Sequence, residues 1–160
     1  MPAVPEPVYT SPRTEAHLRD VLSRLASTID SITIDITDLE NTLLREATFN
    51  DTVASGDLLY APSSGTVALA QANAAATARV IGIAVAAVDG AETGLYLVVG
   101  SMQKTGWGLT AGATYYLSPT AAGQMSTTMP TTVGHYVVQV GRALETDKFS
   151  FAGPQLSILL

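Results

Sequence analysis

The feature that most constrains this chain is a run of apolar residues in its N-terminal third, spaced alternately by four and three positions. This repeat of about 3.5 residues is that of a left-handed coiled coil, in which positions a and d meet a partner helix. A segment with this pattern is expected to associate with copies of itself. The residues that alternate between d and a are Leu18, Leu22, Leu25, Ile29, Ile32, Ile36, Leu39 and Leu43.

The residue types along this apolar stripe, which we call the seam, favour a coiled coil of three parallel helices. Isoleucine occupies both a and d positions in the middle of the seam, at Ile29, Ile32 and Ile36. Isoleucine at both positions favours coiled coils of three or more helices over those of two. The flanking positions are mostly polar, so the stripe is narrower than that of a helix packed on its own domain. Residues 32–36 also alternate as a strand would, but the heptad continues on both sides and favours helix. We expect a homotrimer with the seam as its interface.

Three segments follow from the pattern. Residues 1–13 form an extended arm, because the prolines within them disfavour helix. Residues 14–47 form the coiled-coil helix, and residues 50–160 form a β domain. The arm is either a disordered tail or an anchor peptide that docks on a partner surface. The anchoring candidates are Val4, Val8 and Tyr9.

Beyond about residue 50, short runs of Val, Ile, Leu, Tyr and Thr are separated by glycines, as in domains of many short strands. Turns are predicted at residues 63–65, 89–90 and 121–123, where glycine can adopt a positive φ. The predicted strands are residues 57–60, 66–70, 79–88, 94–99, 114–118, 135–144 and 148–151.

The β domain also repeats itself. Residues 56–65 resemble residues 112–123, and residues 79–84 resemble residues 138–143. Two copies are too few for a solenoid. The predicted fold class is therefore α+β: an N-terminal trimeric coiled-coil helix followed by a mainly-β sandwich or barrel-like domain with two related modules.

Composition argues against several function classes. The net charge is −6 and no cluster of Lys and Arg stands out, so nucleic-acid binding is not expected. No apolar run is long enough to span a membrane. There is no cysteine, and His17 and His135 make neither a metal motif nor a catalytic triad. We expect no enzyme activity, no metal and no cofactor.

Aromatic and C-terminal residues are the remaining candidates for contacts. Trp107 is expected to pack in the core or between subunits, or, with Tyr115, to form an exposed platform for a sugar ring. The chain ends on apolar residues that are predicted to pack against a neighbouring subunit or partner. These residues are Leu156, Ile158, Leu159 and Leu160.

Roughly residues 52–151 resemble small β modules of tailed-phage virion proteins, namely capsid decoration proteins, head fibres and some tail-fibre segments. The likeness lies in glycine-centred turn patterns and carries over no catalytic residue. Such families are commonly homotrimeric, which agrees with the heptad pattern. The segments that carry the resemblance are Ala54-Ser55-Gly56-Asp57-Leu58, Ser64-Gly65-Thr66-Val67, Val80-Ile81-Gly82-Ile83-Ala84, Gly100, residues 109–117 and Val140-Gly141-Arg142-Ala143-Leu144.

The resemblance implies a non-enzymatic virion structural protein: a homotrimeric capsid decoration (cement) or head-fibre protein. Its arm would attach it to the major capsid protein or another virion protein, on the particle exterior after assembly in the host cytoplasm. Two alternatives stay open. One is a tail-fibre or receptor-binding tip that recognises a host-surface glycan, and the other is a trimeric glycan depolymerase, which would need two close carboxylates in a cleft.

Overall fold

A computed structural model describes residues 17–29, 43–153 and 157–160. The chain divides into two compact units, residues 1–40 and 41–160. In the first unit, residues 17–29 form a helix, α1, as the heptad predicts. On its surface Asp20 and Arg24 form an ion pair one turn apart, with 3.7 Å between Oδ2 and Nε. The Thr28 hydroxyl donates to the Arg24 carbonyl at 2.9 Å.

The described part of the second unit is built of strands. They alternate between short hydrogen-bonded runs and glycine-containing turns, as the sequence predicts. The strands are β1 (Leu44–Phe49), β2 (Leu58–Tyr60), β3 (Thr66–Leu69), β4 (Val80–Ala84), β5 (Thr93–Leu97), β6 (Gly100–Gln103), β7 (Thr114–Leu117), β8 (Met125–Ser126), β9 (Tyr136–Glu145), β10 (Lys148–Phe151) and β11 (Ser157–Leu159).

The first five strands, which we call module 1, close into a barrel in the order β1-β3-β2-β4-β5. Closure depends on β1, which pairs in parallel with β3 and antiparallel with β5. A separate apolar cluster fills this module, with Phe49, Leu59 and Val67 all but fully buried. The alternation along β2 explains this placement, because Leu59 points into the cluster while its neighbours Leu58 and Tyr60 belong to a different one.

The remaining strands, which we call module 2, form a six-stranded sheet in the order β6-β10-β9-β7-β8, with β11 paired to β9. Because the barrel of module 1 is closed, its strand order can also be written in the other direction, as β1-β5-β4-β2-β3. Written this way, it matches the order of module 2 strand for strand. The difference is that β6 and β8 do not pair in module 2, so its sheet stays open.

The two modules match in register as well as in strand order. In module 1, Leu59 lies opposite Gly82 and the register shifts at the next residue; in module 2, Tyr115 lies opposite Gly141 and the register shifts at the next residue. The turns before these strands match too. The Gly56 amide donates to the Ala84 carbonyl at 2.8 Å, as the Gly112 amide does to the Ala143 carbonyl. The prediction of two related modules is thereby confirmed.

A second, larger apolar cluster joins the modules. It combines residues of β2 and β4 such as Leu58 and Ile83 with residues of module 2 such as Tyr115, Val140 and Phe149. The outward face of the barrel is thus the inner wall of a core that the open sheet completes. Burial of these side chains is what holds the modules in one unit.

The predicted boundary between helix and β domain is wrong by several residues. The helix was expected to run to residue 47 and the β domain to begin at residue 50, but Leu44–Phe49 is β1. Leu43 precedes this strand, packs half-buried on the larger cluster, and accepts a hydrogen bond from the Val98 amide at 2.8 Å. Leu43 is thus a helical residue of the second unit that packs on the core of the β unit.

Smaller differences concern strand ends and turns. The strand predicted over residues 79–88 is shorter, Val80–Ala84, and β6, β8 and β11 were not predicted. At the turn after Asp89, the residue with positive φ is Ala91 at 68°, not the adjacent Gly90. The other two predicted turns place Gly65 and Gly123 at positive φ, as expected.

Candidate functional site

The apolar face of α1 is the best-defined candidate site. Every residue of α1 is exposed, and the seam side chains at a and d are 53–62% exposed. Residues at i, i+3, i+4 and i+7 lie on one side of a helix, so these four form a continuous stripe. They are Leu18, Leu22, Leu25 and Ile29.

Val21, at a position flanking the seam, is also 45% exposed and widens the stripe. An aliphatic side chain contributes roughly 1.5–3 kcal/mol when it is fully buried from water. An exposed stripe of five such residues is therefore a strong driving force for association. Because all five side chains are aliphatic, this surface can pack against another apolar surface but offers no group for catalysis or for hydrogen bonding.

Several predicted site residues lie outside the described part of the chain. Within the seam these are Ile32, Ile36 and Leu39. The arm residues Val4, Val8 and Tyr9 and the C-terminal residue Leu156 lie outside it as well. Their roles stay predictions.

Trp107 is a packing residue, as one of its two interpretations predicted. Its ring lies 5.8 Å from the ring of Phe149, centroid to centroid, and against the backbone of Gly56, where an added Cβ would come within 2.9 Å of it. The Lys104 ammonium lies 5.7 Å above the indole and donates to the Ser55 carbonyl at 2.8 Å. Trp107 and Lys104 therefore connect module 2 to the turn before β2.

Tyr115 does not form a platform for a sugar ring. It is only 7% exposed, packs edge-on against Phe149, and its hydroxyl accepts a hydrogen bond from the Thr110 amide at 2.9 Å. An exposed aromatic pair of Trp107 and Tyr115 is thus contradicted, because the repeat places Tyr115 at the inward position that Leu59 holds in module 1.

The C-terminal residues pair with their own chain. Ile158 and Leu159 lie opposite Val137 and Tyr136 of β9, and the Leu160 amide donates to the His135 carbonyl at 3.0 Å. Ile158 and Leu159 nevertheless remain more than half exposed. Successive residues of a strand point to opposite faces, so Ile158 and Leu159 expose apolar side chains on opposite faces of β11.

One further cavity, which we call the hydroxyl pocket, lies between the β7–β8 turn at residues 118–120 and the segment from Ser126 to His135. Its volume is about 260 Å³. Sequence reasoning missed it, because its walls come from a turn and a segment whose approach depends on the fold. The only sequence signal was the density of Ser and Thr between residues 118 and 132.

Metal-binding clusters and membrane-spanning helices are absent from the part of the chain that the structure describes. Within residues 17–29, 43–153 and 157–160, no group of three or more His, Asp or Glu side chains could hold a metal ion. No helix among these residues is long and apolar enough to cross a membrane. A comparison of the chain with known protein families gives no match, and neither does a comparison with curated proteins.

Proposed function

We propose that this protein is a non-enzymatic structural protein of a phage virion, a homotrimeric capsid decoration or head-fibre protein that attaches to the shell through its N-terminal arm. The observation that carries the proposal is the exposed stripe on α1. Its side chains have the spacing of a coiled coil and are uncovered in a single chain. A second α1 and a third would cover them.

The β unit supports the same function by its construction. Module 1 fills its own apolar cluster, and modules 1 and 2 together form the larger one, so the unit needs no partner to complete its main core. A compact module carried on a self-associating helix suits a projection from a larger surface. The virion itself is suggested by the resemblance of residues 52–151 to phage β modules.

The oligomeric state is the first test. Light scattering coupled to gel filtration should give three times the chain mass of 16.6 kDa at micromolar concentration. Replacing Leu22, Leu25 and Ile29 together with Ser should dissociate the trimer, because each loses its apolar burial in all three chains. Ser27→Ala, on the opposite side of the helix, is the matched control and should leave the mass unchanged.

A mass of one chain for the unaltered protein would overturn the trimer, and a mass of two chains would replace it with a dimer. An unchanged trimer in the triple variant would also contradict the proposed interface. Circular dichroism of the triple variant should keep the β signal, since the β unit has cores of its own.

The location on the particle is the second test. Gold-labelled protein should be seen on the shell of purified virions by electron microscopy. Label confined to the tail would favour the tail-fibre alternative, and absence from purified virions would refute a structural role in the particle.

A further inference from the structure

The hydroxyl pocket lies in module 2 at a position that has an equivalent in module 1. In module 1, Tyr60 lies opposite Ala68, and in module 2 Tyr116 lies opposite Ser126. Two residues further along, Ala70 therefore corresponds to Thr128. This correspondence allows the pocket to be compared with its counterpart.

In module 1 the equivalent position is filled by the chain itself. The Ala70 carbonyl accepts a hydrogen bond from the Gly123 amide at 2.7 Å, and the Ala72 amide donates to the Ser118 carbonyl at 3.0 Å. The β7–β8 turn of module 2 thus lies on this strip. In module 2 the corresponding strip, Thr128–Pro130, lines an open cavity.

The pocket walls carry unused hydrogen-bonding groups. The Ser118 oxygen already accepts from the Thr120 and Ala121 amides, and the Ser126 oxygen accepts from the Thr128 amide at 3.0 Å. The Ser118 hydroxyl also lies 3.4 Å from the Thr120 hydroxyl, so of these two only the Ser126 hydroxyl still has a hydrogen to donate. No hydrogen bond within the described chain engages the hydroxyls of Thr128, Thr131 and Thr132, which also line the pocket.

His135 adds a further unused group. Its Nδ1 is shielded from solvent and has no hydrogen-bond partner among the described residues. Buried polar atoms are nearly always paired, and this exception belongs to a residue of the pocket wall.

The lining also defines the kind of occupant. No Asp, Glu, Lys or Arg lines the pocket, which favours an uncharged occupant. Apolar surface is supplied by Pro119, Met129 and Pro130. Hydroxyl groups beside small apolar patches match a pyranose, which has polar edges and apolar C–H faces. A volume of about 260 Å³ is just below the roughly 300–1,000 Å³ of drug-sized ligand pockets and suits a single ring.

We propose that the hydroxyl pocket binds one neutral sugar ring of a glycan, with the free hydroxyls of Thr128 and Thr131 as its main hydrogen-bonding partners. This site is separate from the aromatic pair first considered for sugar binding, and it does not depend on the oligomeric state.

The test is titration of the full-length, isotope-labelled protein with neutral methyl glycosides of glucose, galactose, mannose and N-acetylglucosamine, followed by amide NMR. At least one should shift signals of residues 118–120 and 126–135, with a dissociation constant on the order of 1–10 mM, as expected for one ring. Glucuronate and inorganic phosphate should shift them less.

The double variant Thr128→Val and Thr131→Val keeps the side-chain shape and removes two hydroxyls. It should weaken binding of the responsive glycoside by about fivefold or more. Thr127→Val is the matched control, since Thr127 is also exposed but lies outside the pocket, and this variant should bind as the unaltered protein does. Both threonines of the double variant are exposed, so its spectrum should otherwise be unchanged.

Three results would overturn the proposal. One is the absence of shifts with every neutral glycoside at tens of millimolar. Another is equal binding by the double variant. The third is tighter binding of glucuronate or phosphate than of any neutral glycoside, which would assign the pocket to anions.

Discussion

The two modules share their strand order but differ in what covers their outer faces. In module 1 the outward residues Leu58 and Ile83 are fully buried, because module 2 lies on them. The residues in the same register positions of module 2 are Thr114 and Arg142, and Arg142 is exposed. The same backbone pairing therefore carries apolar residues where a neighbour covers it and polar residues where water does.

The inner faces of the two sheets differ in where their core side chains come from. Module 1 closes on itself and its barrel has a core of its own. Module 2 stays open, and side chains of module 1 complete its core. Module 2 thus depends on module 1 for its packing, whereas the barrel core of module 1 is self-contained. Three sets of substitutions test the differences and the likeness of the two modules.

The largest effect is expected from exchanging the outer-face residues. Ile83→Arg should destabilise the β unit by about 4 kcal/mol or more, because it places an unpaired charge in the shared core. The reciprocal change, Arg142→Ile, should cost only about 1 kcal/mol, from the lost bond between Nε and the Gly112 carbonyl at 2.7 Å. Urea unfolding of the two variants measures the difference. Equal losses would contradict the asymmetry.

A smaller and more symmetric effect is expected at the two equivalent glycines. An added Cβ at Gly82 would lie 2.7 Å from the Leu97 carbonyl oxygen, and one at Gly141 would lie 2.8 Å from the Phe149 ring. Gly82→Ala and Gly141→Ala should each cost about 3 kcal/mol, since backbone and packed rings must shift. Gly90→Ala is the control.

A Cβ added at Gly90 would come no closer than 3.3 Å to a neighbouring atom, the Asn50 carbonyl oxygen, and Gly90 does not have a positive φ. Its substitution should change the unfolding free energy by less than about 1 kcal/mol. If only one of the two equivalent glycines proved sensitive, the structural equivalence of β4 and β9 would be weaker than the register indicates.

The smallest effect is expected at Asp57, which links the modules. Its carboxylate accepts from the Ala54 amide at 2.8 Å and from the Gln124 side chain at 2.7 Å. Module 2 has Ala113 at this position, so the turn itself does not require a carboxylate. Asp57→Ala should cost about 2 kcal/mol, because two hydrogen bonds to a charged group are lost.

Gln124→Ala removes one of these bonds and should cost about 1 kcal/mol. In the double variant the losses should not add, because both report on one contact. Full additivity in urea unfolding would show that the carboxylate and the amide act independently.

The sequence predicted most of this architecture for identifiable reasons. The likeness of the Gly56 and Gly112 turns predicted the two modules, and the heptad predicted α1. Prediction failed at β1, since Leu43 continues the heptad spacing and carried the predicted helix into Leu44–Phe49. Local propensity cannot outweigh pairing with β3 and β5, which lie far along the chain.

Among the candidate sites too, some follow from the local sequence and others depend on tertiary packing. The stripe on α1 follows from local periodicity and was predicted by residue. Burial of Tyr115 could have been inferred only from its equivalence to Leu59. The hydroxyl pocket could not be predicted, because Ser118 and His135 are brought together by tertiary packing.

The position of β1 has a mechanical consequence. Any tension passed along the chain from the helical segment enters the β unit through Leu43 and then through β1. This strand is bonded along both edges, to β5 over five residue pairs and to β3 over two. A pull along its axis loads these bonds together in shear and does not peel them one at a time. The barrel is therefore built to resist extraction by a force applied at its N-terminal strand.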